Sequence, residues 1–149
     1  TDADGRADKV TVFTEGLNIP TGVAIGYGGV WVLNAPDLLF LREKDGKEII
    51  VCVVGTTVLH YDYRALADLH AMLKKHGDWM ELGSKDEKQE TVDGTVEHWA
   101  RSPKNPVGGW YGLKKGFRGR FAMYIPPLME ALGLAEVEHN ARNNRMKAK

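Results

Sequence analysis

The sequence predicts an α+β protein. An N-terminal antiparallel β meander packs on a small helical region that ends in a wing-like β-hairpin. Three observations predict this. Short runs rich in Val, Ile, Leu and Phe, separated by Gly- and Asp-containing turns, fill residues 10–61. After Asp62 the apolar spacing lengthens to the helical period. Near the C-terminus two short extended segments flank Ala141-Arg142-Asn143, which reads as a hairpin. The 149 residues suit one domain, or one domain with an appendage. With 43% hydrophobic and 27% charged residues, the composition is that of a globular chain, not a disordered one.

Val10–Phe13 alternates as a strand and ends at Glu15-Gly16. Asn18-Ile-Pro-Thr-Gly22 is a turn, because Pro and Gly restrict the backbone there. Val23–Ile25 and Val30–Leu33 are strands joined by Gly26-Tyr-Gly-Gly29. Leu38–Arg42 is the next strand, and Lys44-Asp-Gly-Lys47 is a hairpin turn of the Asp-Gly kind. Glu48–Val54 and Val58–Tyr61 follow, turned by Gly55-Thr56. Leu66, Leu69, Met72 and Leu73 fall at helical spacing, with Asp62 as the cap and His76-Gly77 as the stop. Trp79–Leu82 is a short strand or extended arm, and Ser84–Glu90 is charged, helical or loose. Thr91–Ser102 reads as a helix weakened by Gly94. Pro103–Gly119, rich in Pro, Gly and Lys, is an ordered loop. Phe121–Leu132 is an apolar helix interrupted by Pro126-Pro127, which open a new helix at its first turn, and Gly133 ends it. Ala135–His139 and Asn144–Lys147 are the strands of the final hairpin.

Net charge is zero, but it is unevenly spread. Residues 1–100 hold 10 basic and 17 acidic residues, net −7, whereas residues 101–149 hold 10 basic and 3 acidic residues, net +7. Such polarity fits a nucleic-acid face, two mutually attracting segments, or a solvated basic tail. No apolar run approaches the roughly 20 residues of a membrane helix. No stretch has the layout of a signal peptide, so a cytoplasmic location is expected. The chain begins at Thr1 rather than Met, which fits a processed or trimmed start from which a signal would be missing. The single Cys52 excludes an internal disulfide and a multi-cysteine zinc site. Its neighbours, Ile49-Ile-Val-Cys-Val-Val, make it an inert strand residue.

Two resemblances divide the chain near Leu41, into residues 1–41 and 42–149. The strings Thr1-Asp-Ala-Asp-Gly-Arg-Ala-Asp-Lys-Val-Thr-Val-Phe13, Gly16-Leu-Asn-Ile-Pro-Thr-Gly-Val-Ala24 and Gly29-Val-Trp-Val-Leu-Asn-Ala-Pro-Asp-Leu-Leu-Phe40 resemble one blade of the bacterial sugar-dehydrogenase-like β-propellers. A propeller closes several blades into a ring, so a lone blade does not bring that family's activity with it. The second resemblance spans residues 48–148. Its strings are Thr57-Val-Leu-His-Tyr-Asp-Tyr-Arg-Ala-Leu-Ala-Asp-Leu-His70, Gly77-Asp-Trp79, Arg101-Ser-Pro-Lys-Asn-Pro-Val-Gly-Gly-Trp-Tyr-Gly-Leu-Lys114 and Gly133-Leu-Ala-Glu-Val-Glu-His-Asn-Ala-Arg-Asn-Asn-Arg-Met146. They are similar to a family of small uncharacterised bacterial proteins, for which the resemblance implies no activity. The pairing of the two segments suggests a chimeric chain.

Asp2, Asp4 and Asp8, with Gly5 between them, have the acidic spacing of a calcium loop, although no terminal bidentate Glu follows. His60 and Asp62 lie on one side of a strand end, where the carboxylate can orient the imidazole as a general base. A helix cap at Asp62 and a half-buried His60 explain the same pair without catalysis. His70 and His76 lie on different faces of one helix, and His98 and His139 have no evident partner. The basic segment is the richest candidate. Lys114, Lys115, Arg118 and Arg120 follow Trp110-Tyr111 and interleave with Phe117 and Phe121, a mixture suited to phosphate contact and base stacking. Arg142 and Arg145 mark the hairpin as a basic wing behind a helix. That helix is almost wholly apolar, so any nucleic-acid contact is expected to be non-specific. Gly116-Phe-Arg-Gly-Arg120 can also form an anion nest from backbone N–H groups.

Two function classes follow. The first is a non-catalytic binding module whose basic C-terminal surface contacts nucleic acid or another anion. The alternative is a small, calcium-assisted hydrolase of esters or lactones using His60 and Asp62. The many apolar strand residues, Val10 to Phe40 among them, must cover the second region or pair with another chain, which favours a homodimer through β edges.

Overall fold

The structure is a computed structural model that describes residues 20–26, 29–34, 37–44, 47–54 and 56–149, with side chains described for residues 48–52 and 56–149. The strand expected at Val10–Phe13 and the acidic loop of Asp2, Asp4 and Asp8 lie outside the described residues. Five strands, β1 (Pro20–Gly26), β2 (Gly29–Asn34), β3 (Asp37–Lys44), β4 (Lys47–Val54) and β5 (Thr57–Asp62), form one antiparallel sheet in sequence order. This is the expected meander. It runs across the boundary drawn at Leu41, because Leu41 pairs with Val30 of β2 on one side and with Ile50 of β4 on the other.

Side chains alternate along β5. Leu59 and Tyr61 are buried, whereas His60 and Asp62 share the opposite, half-buried face. Helix α1 (Ala65–His76) follows and buries Ala65, Leu66, Leu69 and Leu73. Asp62 is not its N-cap. The helix begins after Arg64, and Asp62 Oδ1 accepts the Arg64 N–H at 3.2 Å, so Asp62 closes the preceding turn instead. Gly77 ends α1 at φ 78°, and its N–H reaches the Leu73 carbonyl.

The helix expected over Thr91–Ser102 shrinks to α2 (Val96–Trp99). Gly94 sits at φ 77°, outside the helical region, and Thr95 becomes the N-cap, its hydroxyl accepting the His98 N–H. Helix α3 (Phe121–Ala131) runs unbroken through Pro126 and Pro127 instead of restarting there. Its burial explains the tolerance. Phe121, Ala122, Ile125, Pro126 and Met129 all face the core, and this packing outweighs the lost backbone bonds.

Strands β7 (Ala135–Val137) and β8 (Arg145–Ala148) form the expected C-terminal hairpin. Its second strand also pairs with β6 (Met80–Glu81), giving a three-stranded sheet of order β6-β8-β7. The hairpin is therefore built into a sheet. One core joins these parts: Tyr61, Leu69, Leu73, Val96, Tyr111, Phe121, Ile125, Met129 and Met146 are each no more than 1% exposed. Tyr111 stacks on Trp99 at 5.0 Å, and Tyr61 meets Phe121 edge-on at 5.7 Å. The 111–113 segment covers part of the β5 edge, since Asp62 donates to the Tyr111 carbonyl and Leu113 donates to the His60 carbonyl.

Candidate functional site

The loop before α3 is held by two polar centres. Asn105 is buried and uses its whole amide. Its Nδ2 donates to the carbonyls of Trp99 (2.8 Å) and Gly109 (2.6 Å), and its Oδ1 accepts the N–H groups of Val107 (3.1 Å) and Gly109 (3.2 Å). The second centre is Glu97, which is fully buried. One of its oxygens accepts from Arg101 Nε (2.9 Å) and Nη2 (2.6 Å), and the other accepts the Ala122 N–H at 2.8 Å, in the first turn of α3. Burial pushes the Glu97 carboxyl up from its ordinary value, against the opposing pull of the Ala122 N–H and Arg101. Arg101 also donates to the carbonyls of Lys85, Asp86 and Gln89, which fixes the charged 84–90 segment.

The basic residues named from sequence divide into two sets. Arg118 pairs with Glu87 at 3.1 Å, Arg120 pairs bidentately with Asp86, and Arg145 pairs with Glu138 at 3.0 and 2.5 Å. Lys114, Lys115 and Arg142 are exposed and, among the described residues, have no carboxylate partner. Lys114 lies 4.5 Å from the ring centroid of Phe117, itself 41% exposed. Trp110 is not open for stacking, because the guanidinium groups of Arg101 and Arg118 lie 4.4 and 4.2 Å from its centroid. The nest expected at residues 116–120 is partly occupied. The Arg120 N–H donates to the Lys85 carbonyl, and the Arg118 N–H faces Glu87 Oε2 at 3.5 Å.

The other candidates fall elsewhere. His60 and Asp62 do share a face of β5, but an Asp62 oxygen is engaged by the Arg64 N–H. His98 faces the Thr91 hydroxyl at 3.0 Å, and His139 faces Glu130 at 2.9 Å. Cys52 is half-buried on β4, and burial pushes its thiol up, away from the reactive thiolate. Among the described residues no group of three or more His, Cys, Asp or Glu could hold a metal ion. No helix among them is long and apolar enough to cross a membrane.

Residues 33–149 match the model of a family of unknown function, DUF6855. The chain belongs to that family. The match contains every element from β3 to β8, and thus both polar centres and all six basic candidates. Residues 1–50 match a domain of unknown function, DUF7133, which assigns the first segment neither a propeller nor a sugar-dehydrogenase identity. The two matches share residues 33–50, so the boundary expected at Leu41 falls inside their overlap. No curated protein and no solved structure matches the chain.

A cleft of about 490 Å³ was not foreseen. It lies between α3, the 81–85 segment and the tip of the β7–β8 hairpin, and Lys85, Met123, Pro127, Arg142 and Asn144 are among its lining residues. Its walls are far apart in sequence, and no local pattern announces them. The Glu97–Arg101 pair was readable, because its i,i+4 spacing is that of a helical ion pair.

Proposed function

We propose that this family member is a non-catalytic binding module whose C-terminal basic surface holds an anionic partner. One observation carries the reading. Half of the six cations named from sequence, Lys114, Lys115 and Arg142, have no carboxylate partner among the described residues, whereas Arg118, Arg120 and Arg145 are neutralised. Lys114 and Lys115 sit in the loop before α3, next to the exposed ring of Phe117. Arg142 sits at the tip of the hairpin, which supports reading that hairpin as a basic wing. The buried face of α3 offers few donors for base edges, so a polyanion is held by its phosphates and by stacking on Phe117.

Salt decides this. Each phosphate contact releases counterions, so three cations on single-stranded nucleic acid predict a log–log salt slope of about −2. Labelled single strands bound against rising salt should show that slope, duplexes a steeper one of about −2.7, and the triple variant Lys114→Ala, Lys115→Ala, Arg142→Ala should abolish both. Absence of binding at low salt, or binding that ignores salt, overturns the reading.

A further inference from the structure

We infer that the cleft between α3, the 81–85 segment and the β7–β8 hairpin tip binds a small organic carboxylate with an apolar body, of the medium-chain or aryl kind. Its volume of about 490 Å³ falls among those of small-molecule sites. Leu82, Met123, Pro127 and Val137 give it an apolar lining. Met123 is 45% exposed there, on a helix whose remaining large apolar residues are buried or half-buried.

The charges around the cleft select a carboxylate. Three of its charged side chains have counter-charges of their own. Glu138 is held by Arg145, Glu81 faces Arg145 across the β6–β8 pairing, and His139 faces Glu130. Lys85 and Arg142 line the same cleft and have no carboxylate partner among the described residues. An Arg guanidinium matches a carboxylate in shape, and a Lys beside it adds a second donor. Ser84 also lines the cleft, and its hydroxyl is buried with no hydrogen-bond partner. A buried orphan hydroxyl is costly unless something bonds it, and a carboxylate oxygen would accept from it.

The walls are preorganised, which lowers the cost of binding. The Lys85 carbonyl accepts from the Arg120 N–H at 2.9 Å and from Arg101. The Leu82 N–H donates to the Asn144 carbonyl at 2.9 Å, tying the 81–85 segment to the hairpin. At the tip, Asn140 N–H donates to Asn144 Oδ1 (2.6 Å), Asn144 Nδ2 donates to the Asn140 carbonyl (3.0 Å), and Asn143 holds φ 55°.

The full chain is titrated with monomeric decanoate, with acetate, with decanol and with inorganic phosphate, following backbone amide shifts. Decanoate should shift residues 82–85, 122–127 and 137–144 and bind at least about tenfold more tightly than the other three. Arg142→Ala and Lys85→Met should each weaken decanoate several-fold, while the pair Lys114→Ala, Lys115→Ala leaves it unchanged. That last pair separates this site from the polyanion surface, since its loss affects only the latter. Scattered shifts, equal binding of acetate or decanol, or indifference to both cleft variants would overturn the inference.

Discussion

Asn105 and Glu97 each replace what would otherwise be a length of regular structure. Asn105 satisfies four backbone groups of a loop that has no ladder to use. Asn105→Ala strands those groups and should cost about 2–3 kcal/mol in urea unfolding, with the m-value unchanged. Glu97 is a carboxylate with no exposure that caps a neighbouring helix and binds Arg101, itself almost buried. Glu97→Gln leaves that guanidinium uncompensated and should cost about 3 kcal/mol. The double variant with Arg101→Met should lose less than the sum of the singles, because the two act as one unit. At this scale the sequence was informative wherever a local rule applied. The half-buried His60 follows from strand alternation, whereas Asp62, expected to cap α1, closes the turn before it instead. The partners of His98, His139 and Asn105 depend on loop paths that no residue spacing encodes.

Among the elements, the strands were the most legible, because turn residues punctuate them and period-2 burial marks β5. Helices were less so. The pattern over 91–102 carried enough apolar residues for a helix, yet Gly94 and Thr95 put the start at Val96. Helix α3 was expected to break at its prolines, and tertiary burial overrode that. Pro127 is exposed while Pro126 is buried, so they differ in consequence. Pro127→Ala restores a backbone donor at no packing loss and should raise stability by about 1 kcal/mol, read as a higher denaturation midpoint. Gly119 has the opposite sensitivity. A Cβ there would run into the backbone of Asp86 and Glu87, which cannot swing aside. Gly119→Ala should cost about 1–3 kcal/mol and loosen the 84–90 segment in hydrogen exchange.

For the whole molecule, the charge asymmetry of the sequence turns into contacts. Glu97–Arg101, Glu87–Arg118 and Asp86–Arg120 join the acidic stretch before residue 100 to the basic stretch after it. The attraction between the two segments therefore accounts for part of the net +7 of the C-terminal third, and the unpaired remainder is what a partner would meet. Carboxyl–arginine pairs also set the response to acid, at Asp68–Arg64, Asp86–Arg120 and Glu138–Arg145. Burial pushes the Asp68 carboxyl up, but hydrogen bonds from Arg64 and Tyr111 outweigh it and hold the group below its ordinary value. Arg120 does the same to Asp86, and Arg145 to Glu138. A carboxyl whose folded value is depressed adds stability that is complete above its unfolded value and lost as pH falls through the folded one. Glu97 runs the other way, since burial raises it and its protonated form is favoured in the fold. Three depressed groups against one raised group predict a net loss of stability as pH drops below about 4, where exposed carboxyls begin to protonate. Urea midpoints measured from pH 7 to pH 3 should fall over that window. Asp68→Asn should lower the midpoint at pH 7 and flatten the fall, because the variant has already lost what acid would remove. An equally steep fall in Asp68→Asn would place the acid sensitivity in the other pairs.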